Sequence, residues 1–360
     1  MLSEFSLIDR YFAQRARTNT RRAALGIGDD CALIAPAAGE MLAVSTDMLV
    51  EGRHFLPDVD PHALGHKALA VNLSDLAAMG AAPLGFTLAF ALPKPREDWL
   101  EAFSRGLFEL ADRHGCELIG GDTTAGPLNL CITVFGSVRQ DVALRRDAAE
   151  PGDDIWVSGT PGDARAGLAV LRGEWPQARI ERADAIHFRR ALEYPEPRVA
   201  LGLALAGIAR AALDVSDGLA GDLRHILERS HVNAGIDVDA LPRSEALARL
   251  PRELQLQCAL AGGDDYELCF TAAQAQRGAV EAAAQQAGVR VTRIGTITAP
   301  DIPDTAAYPS PHGTPAMPAA TPGGEQAQRN AQAWPTIAWR DASGAPLNLT
   351  LQGFDHFHAD

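Results

Sequence analysis

Lysine is nearly missing from this 360-residue chain, with Lys67 and Lys94 the only two. His66 and Pro93 precede them, which excludes a phosphate loop of the G-x-x-x-x-G-K-[ST] type. Positive charge is short overall: 32 Lys+Arg against 46 Asp+Glu give a net charge of −14. That balance excludes nucleic acid and anionic membrane as expected partners, because either needs a cationic face. Cysteine is sparse and unpaired by spacing, five residues with no C-x-x-C among them, which argues against a disulfide framework or a zinc site. Cys131 and Cys269 sit in apolar runs, as buried thiols of a reducing cytoplasm do. Apolar runs such as 83–93 fall far short of the ~20 residues a membrane span needs. The start, with Glu4 and Asp9, lacks the basic-then-apolar order of a signal peptide. A hydrophobic share of 47% with 22% charged residues excludes wholesale disorder. The expectation is a soluble, cytoplasmic protein.

Short β-rich runs alternate with helical patterns, which predicts an α/β (α+β) fold of two domains, each a mixed or antiparallel sheet backed by helices. Strands are expected at 42–47, 85–92, 118–122 and 130–138. Helices are expected at 62–79, ending at Gly80, and from Pro95 to His114, closed by Gly115. A turn cluster, Glu150-Pro-Gly-Asp-Asp154, marks the domain boundary, giving 1–149 and 150–300. The second half reads as a strand at 155–158, a helix from Ala164, an alanine-rich helix at 199–212, then Leu213-Asp-Val-Ser-Asp-Gly218 entering another helix. Strands at 236–238, 268–271 and 291–298 and an Ala/Gln-rich helix at 271–288 complete it. Residues 301–335, rich in Pro, Ala, Gly and Thr, cannot bury a core and read as a flexible insertion. Aromatic and aliphatic residues return in 336–360, which is expected to dock back on the body at the substrate site.

Acids at strand ends and glycine turns are the informative feature: Gly28-Asp-Asp30, Ser45-Thr-Asp47, Asp75, Gly120-Gly-Asp122, Asp214-Val-Ser-Asp217 and Gly262-Gly-Asp-Asp265. Taken singly, a Gly-Asp pair is turn chemistry. Two of these sets, however, place acids directly on apolar strand ends, where neighbouring carboxylates repel unless a cation joins them. Strand-end loops are where α/β proteins hold ligands. Hard oxygens without flanking His or Cys suit Mg²⁺ rather than zinc.

In order along the chain, Gly26-Ile-Gly-Asp-Asp30, Ser45-Thr-Asp47 with His54, Asn72-Leu-Ser-Asp-Leu-Ala-Ala-Met-Gly80, Leu118-Ile-Gly-Gly-Asp-Thr-Thr124, Asp214-Val-Ser-Asp-Gly-Leu219, Gly262-Gly-Asp-Asp-Tyr-Glu-Leu268 and Gly353-Phe-Asp-His-Phe357 resemble the thiamine-monophosphate kinase family. That family lies in the aminoimidazole-ribonucleotide-synthetase-like ATP-binding superfamily. Each motif is weak alone; seven in sequence are specific.

The resemblance implies transfer of the ATP γ-phosphoryl to thiamine monophosphate, giving thiamine diphosphate and ADP, with several Mg²⁺ ions. It implies metal positions at Asp30, Ser45, Thr46, Asp47, Asp75, Asp122, Asp214 and Asp217, of which Asp30, Asp47, Asp122 and Asp217 are the expected catalytic carboxylates. Nucleotide contacts fall on Gly121, Asp122, Arg146 and Ser216; register favours Arg146 over its neighbour Arg145. His54, Glu267 and Phe354 are expected to face thiamine monophosphate. A homodimer through the N-terminal sheet, with nucleotide near that interface, is likewise implied. Ser104 departs from the family, many members carrying a tyrosine there near the adenine, so that contact is not carried over. Phe354 replaces a position often Tyr or Trp, keeping a flat ring for stacking. A phosphate acceptor is already anionic, so no general base is expected; metal screening of two polyanions is. The contrasting expectations are another ATP-dependent enzyme of the same superfamily, and a non-catalytic Mg²⁺-nucleotide or thiamine-phosphate binding protein that keeps the ligands and shows no turnover.

Overall fold

Apolar residues on every side of the segment that starts at Pro61 make it a core helix, and the molecule is organised around it. The computed structural model describes residues 4–16, 23–27, 31–300, 335–349 and 351. In chain order, the N-terminal elements are α1 (Glu4–Ile8), a π-helical turn (Asp9–Ala13), α2 (Gln14–Ala16), β1 (Glu40–Val50), α3 (Pro61–Ala78), β2 (Ala82–Leu92), α4 (Glu97–His114), β3 (Glu117–Ala125) and β4 (Asn129–Arg139). There follow β5 (Asp154–Ser158), α5 (Asp163–Arg172), α6 (Arg182–Glu193), α7 (Val199–Leu205), β6 (Ala212–Val215), α8 (Leu219–Ser230) and β7 (Asn233–Asp237). The last are α9 (Glu245–Ala248), α10 (Arg252–Ala261), β8 (Glu267–Ala272), α11 (Arg277–Ala287), β9 (Val291–Thr298) and β10 (Ile337–Arg340).

Two mixed sheets result. The first has strand order β1-β4-β2-β3, antiparallel except for the parallel β2/β3 pair. The second has order β10-β7-β9-β5-β8-β6, antiparallel except for the parallel β10/β7 pair.

Helix α3 begins where the Asp60 carboxylate accepts the N–H groups of His62 and Ala63 at 2.9 and 3.1 Å, with Pro61 in the first turn. It stops at Gly80, in the left-handed region at φ +65°. Its crossing with α4 is set by glycine: a Cβ on Gly65 would lie 2.1 Å from the Phe103 carbonyl oxygen, and one on Gly106 would lie 2.0 Å from that of His62. One apolar core runs from the first sheet through α3 to Trp156, Leu268 and Phe270 of the second, with α7 and α11. A second core packs α8 and α10 on the other face of the larger sheet. Leu347, Leu349 and Leu351 pack against that second core, and β10 adds a strand at its edge.

Two helices differ from expectation. The alanine-rich helix stops at Leu205 rather than 212, because Gly207 turns the chain at φ +80° and Ala212 pairs with Phe270 as strand β6. The expected helix at 271–288 begins only at Arg277, after a 3₁₀ turn at Gln274–Gln276, since Thr271 and Ala272 finish β8.

Candidate active site

Strand alternation sorts the Ser45-Thr46-Asp47 run onto two faces. Ser45 and Asp47 turn toward α3, where the Ser45 hydroxyl donates to Asp75 Oδ2 at 2.5 Å and the Asp47 N–H donates to Asn72 Oδ1 at 3.2 Å. Asn72 is oriented in turn by donating to the Ala68 carbonyl at 3.0 Å. Thr46 lies on the opposite face, its hydroxyl 2.8 Å from that of Thr133.

The second half brings Asp214 on β6 and the loop after it. The Asp222 carboxylate accepts three consecutive N–H groups, from Ser216, Asp217 and Gly218, at 3.0, 3.0 and 3.1 Å. This carboxylate holds the loop in one shape and aims Ser216 and Asp217 outward. Asp47, Asp75, Asp214, Ser216 and Asp217 then line one cavity of about 1130 Å³ between the two halves.

Burial and mutual repulsion make ionisation costly there. The Asp47 carboxyl is pushed up to about 6, by burial first and then by Asp75 and Asp217. Asp214 is pushed to about 8, by burial and then by Asp75. Asp75 is raised by burial, with the Ser45 hydroxyl and Arg146 pulling it back. Three neighbouring carboxylates held in this state call for a cation.

The donor set is hard oxygen throughout, which suits Mg²⁺. Among the described residues, no three His, Cys, Asp or Glu side chains stand close enough to cage a single ion. Mg²⁺ ordinarily takes one or two carboxylates and completes its shell with waters and substrate phosphates, so this set fits ions that arrive with a phosphate ligand.

The other expected site residues divide. His54 lines the cavity, and its Nδ1 accepts the Val50 N–H at 3.0 Å, which leaves Nε2 to carry the proton and donate. Arg145 is taken by Asp147, whereas Arg146 lies near enough to Asp75 to lower its pKa. Gly121 and Asp122 are not brought to the cavity. They lie on β3, and the row Asp122–Ala89–Cys131–Met48 crosses the whole sheet, about 14 Å at the usual strand spacing. Gly121 is required by packing: at φ +151° its Cβ would meet the Leu88 carbonyl at 2.0 Å.

Glu267 is also held away from the cavity wall. Its buried carboxylate takes Ser158 Oγ at 2.5 Å and the Arg198 guanidinium through two nitrogens, Nε at 2.6 Å and Nη2 at 2.5 Å. Ser104 is buried in α4, donating to the Glu101 carbonyl. Asp30 and Phe354 lie outside the described residues, as do residues 301–334 of the insertion.

Sequence reasoning missed Lys67, Asn72 and Asp222. Lys67, Val71 and Asp75 stand four residues apart and all line the cavity, a helical spacing that was available to read. Nothing in the spacing of Asp222 announced that it would accept three N–H groups.

Comparison with known proteins gives the same picture. The family "AIR synthase related protein, N-terminal domain" matches residues 28–138, and the corresponding C-terminal domain family matches 150–304. The thiamine-monophosphate kinase of Salmonella typhimurium is 52% identical over 297 residues, 82% of this chain and 90% of that protein. The crystal structure of thiamine-monophosphate kinase from Stenotrophomonas maltophilia K279a is 51% identical with a TM-score of 0.76, covering 83% of this chain and 95% of that one. A further structure, AaThiL complexed with AMPPCP and TMP, is 30% identical with a TM-score of 0.64, over 83% of this chain and 91% of that one. Two AIR synthase related domains enclosing an acidic cleft, matched along most of their length at this identity, place the chain in the thiamine-monophosphate kinase family.

Proposed function

We infer that the protein transfers the γ-phosphoryl group of ATP to thiamine monophosphate, forming thiamine diphosphate and ADP. The observation that carries this reading is the cleft in which Asp47 and Asp75 of one half face Asp214 and Asp217 of the other. The structure of AaThiL complexed with AMPPCP and TMP supports a fold that takes a nucleotide analogue together with a second ligand.

An acceptor phosphate oxygen attacks the γ-phosphorus, and the bond from that phosphorus to the β–γ bridging oxygen breaks, leaving ADP. The acceptor is anionic at neutral pH, so no residue need remove a proton from it. When bound, Mg²⁺ screens the two polyanions and neutralises charge on the leaving oxygen. Asp47, Asp75, Asp214 and Asp217 are the residues that would hold it. His54 offers a donor to a phosphate oxygen. Phe55, Leu168 and Leu192 give the cavity an apolar wall suited to the ring system of thiamine.

Asp122, an expected nucleotide contact, lies on the open face of the first sheet, and the β1 part of that face is apolar. Val44 and Met48 of β1 are each 54% exposed, with Leu42 and Val50 beside them. An apolar sheet face of this kind suits a second copy of the chain. The homodimer would bring the Asp122 face of one protomer to its partner, with nucleotide held near the interface. Among the described residues, no helix is long and apolar enough to cross a membrane; the cytoplasm remains the compartment that fits a reduced, acidic biosynthetic enzyme.

Purified protein with ATP, Mg²⁺ and thiamine monophosphate should yield thiamine diphosphate and ADP in equal amounts, both lost with EDTA. ADP without thiamine diphosphate would refute the acceptor. Tight nucleotide binding with neither product would refute catalysis.

A further inference from the structure

Lys67 is one of two lysines in the chain, and the fold buries it. Its side chain is 5% exposed on α3, and Nζ lies 2.9 Å from Asp264 Oδ1. An ammonium at that depth is costly unless paired, and Asp264 supplies the partner. Lys67 belongs to the first half of the chain and Asp264 to the second, so the pair spans the cleft.

Asp264 is itself fastened to the acidic loop opposite. It sits in the left-handed region at φ +67°, where Asp is tolerated better than most residues. Its N–H donates to the Ser216 carbonyl at 2.8 Å, and the Tyr266 N–H donates to that of Val215, also at 2.8 Å. Gly263 is pressed against the same backbone, since a Cβ there would lie 2.4 Å from the Ser216 carbonyl oxygen. The Tyr266 hydroxyl donates to Asp264 Oδ1 at 3.2 Å, sharing the oxygen that Lys67 uses. A continuous path therefore runs from Lys67 through Asp264 to Val215 and Ser216, the backbone between Asp214 and Asp217. Two turns along α3 from Lys67 stands Asp75.

We propose that Lys67 is a positioning residue that sets the separation between the two carboxylate pairs, Asp47 and Asp75 on one side and Asp214 and Asp217 on the other. The inference rests on the kinase reading for its purpose but not for its test. The pair also leaves the cleft one carboxylate charge less repulsive than its composition implies, because the ammonium cancels that of Asp264. Breaking it frees the Gly262–Tyr266 loop, and with it the spacing of the Asp214–Asp217 backbone against Asp47 and Asp75, a loss of geometry that outweighs the added negative charge.

The experiment uses the full chain and measures, by calorimetry, the Mg²⁺ concentration giving half-maximal binding of a non-hydrolysable ATP analogue. Lys67→Met should raise that concentration about tenfold, and Lys67→Arg should stay within about threefold of the unaltered protein, because it restores the charge. The double variant Lys67→Met/Asp264→Asn should bind about as Lys67→Met does, since the one link between the halves is already lost in the single variant. A folded Lys67→Met protein with unaltered Mg²⁺ dependence would overturn the proposal. So would equal weakening by Met and Arg, which signifies packing alone. If Lys67→Met does not fold, Asp264→Asn decides: a rise of threefold or more supports the proposal and no change overturns it. An unaltered protein that binds nucleotide with Mg²⁺ but makes no thiamine diphosphate refutes the kinase reading and leaves this comparison intact.

Discussion

Neutralising one cleft carboxylate should make the metal-free protein more stable while destroying its activity. Asp47 shows why. Its carboxyl rises from 3.8 to about 6, through burial and then through Asp75 and Asp217. The folded state therefore keeps a proton that the unfolded chain has already released. Between pH 4 and 6 the unfolded state binds fewer protons, so stability falls as pH rises through that window and levels off above it. About two pH units at about 1.4 kcal/mol each amount to about 3 kcal/mol, and water at the cleft mouth screens this to about 2 kcal/mol.

Asp47→Asn carries no charge to hold off. In EDTA at pH 7.5 it should exceed the unaltered protein by about 2 kcal/mol, a few degrees in melting temperature, and the difference should vanish near pH 4. Mg²⁺ with an ATP analogue should reverse the order, since ligand stabilises only the form that binds it. Turnover should drop by about two orders of magnitude or more, the loss expected for a group that holds transition-state charge. Melting curves at pH 4, 5.5 and 7.5, with EDTA and then with Mg²⁺, make the test. An Asn variant that melts at or below the unaltered protein in EDTA at pH 7.5 would refute the repulsion argument.

Arg198→Met should cost about 3–5 kcal/mol in urea unfolding, because it strands the buried Glu267 carboxylate; a change below 1 kcal/mol would show that the pair bears no structural weight. Gly65→Ala should cost at least about 1–3 kcal/mol, since its Cβ lands 2.1 Å from the Phe103 carbonyl, and hydrogen exchange should quicken in α3 and α4. Val44→Asp, on the open sheet face, should lower the mass seen by light scattering to that of a monomer without altering the secondary structure seen by circular dichroism. An unchanged mass would place any self-association elsewhere.

How much of this was legible follows from the range of each interaction. Helices α3 and α4 were readable to within a few residues because their ends are local: Asp60 and Pro61 start one, and Gly80 and Gly115 stop both. The end of α7 was not, because Ala212 becomes a strand only through its partner Phe270 in β8, 58 positions away. The strand-end acids stood out as a set, and Asp47, Asp75, Asp214 and Asp217 do share one cavity. Which face each takes was hidden: Thr46 differs from its neighbours only by strand alternation, and Asp122 sits a full sheet width from Asp47.

Glu267 and Lys67 show the deeper reason. A charged residue in a sequence looks like a ligand contact or a solvated group, and only the fold says whether another charge has claimed it. Arg198 claims Glu267, and Asp264 claims Lys67. For Asp47 and Asp214, burial and neighbouring carboxylates are the main forces raising their pKa values. The groups under repulsion are those a Mg²⁺-bearing phosphate ligand relieves, so the electrostatic strain of the metal-free cleft is the binding energy held in reserve for its substrates.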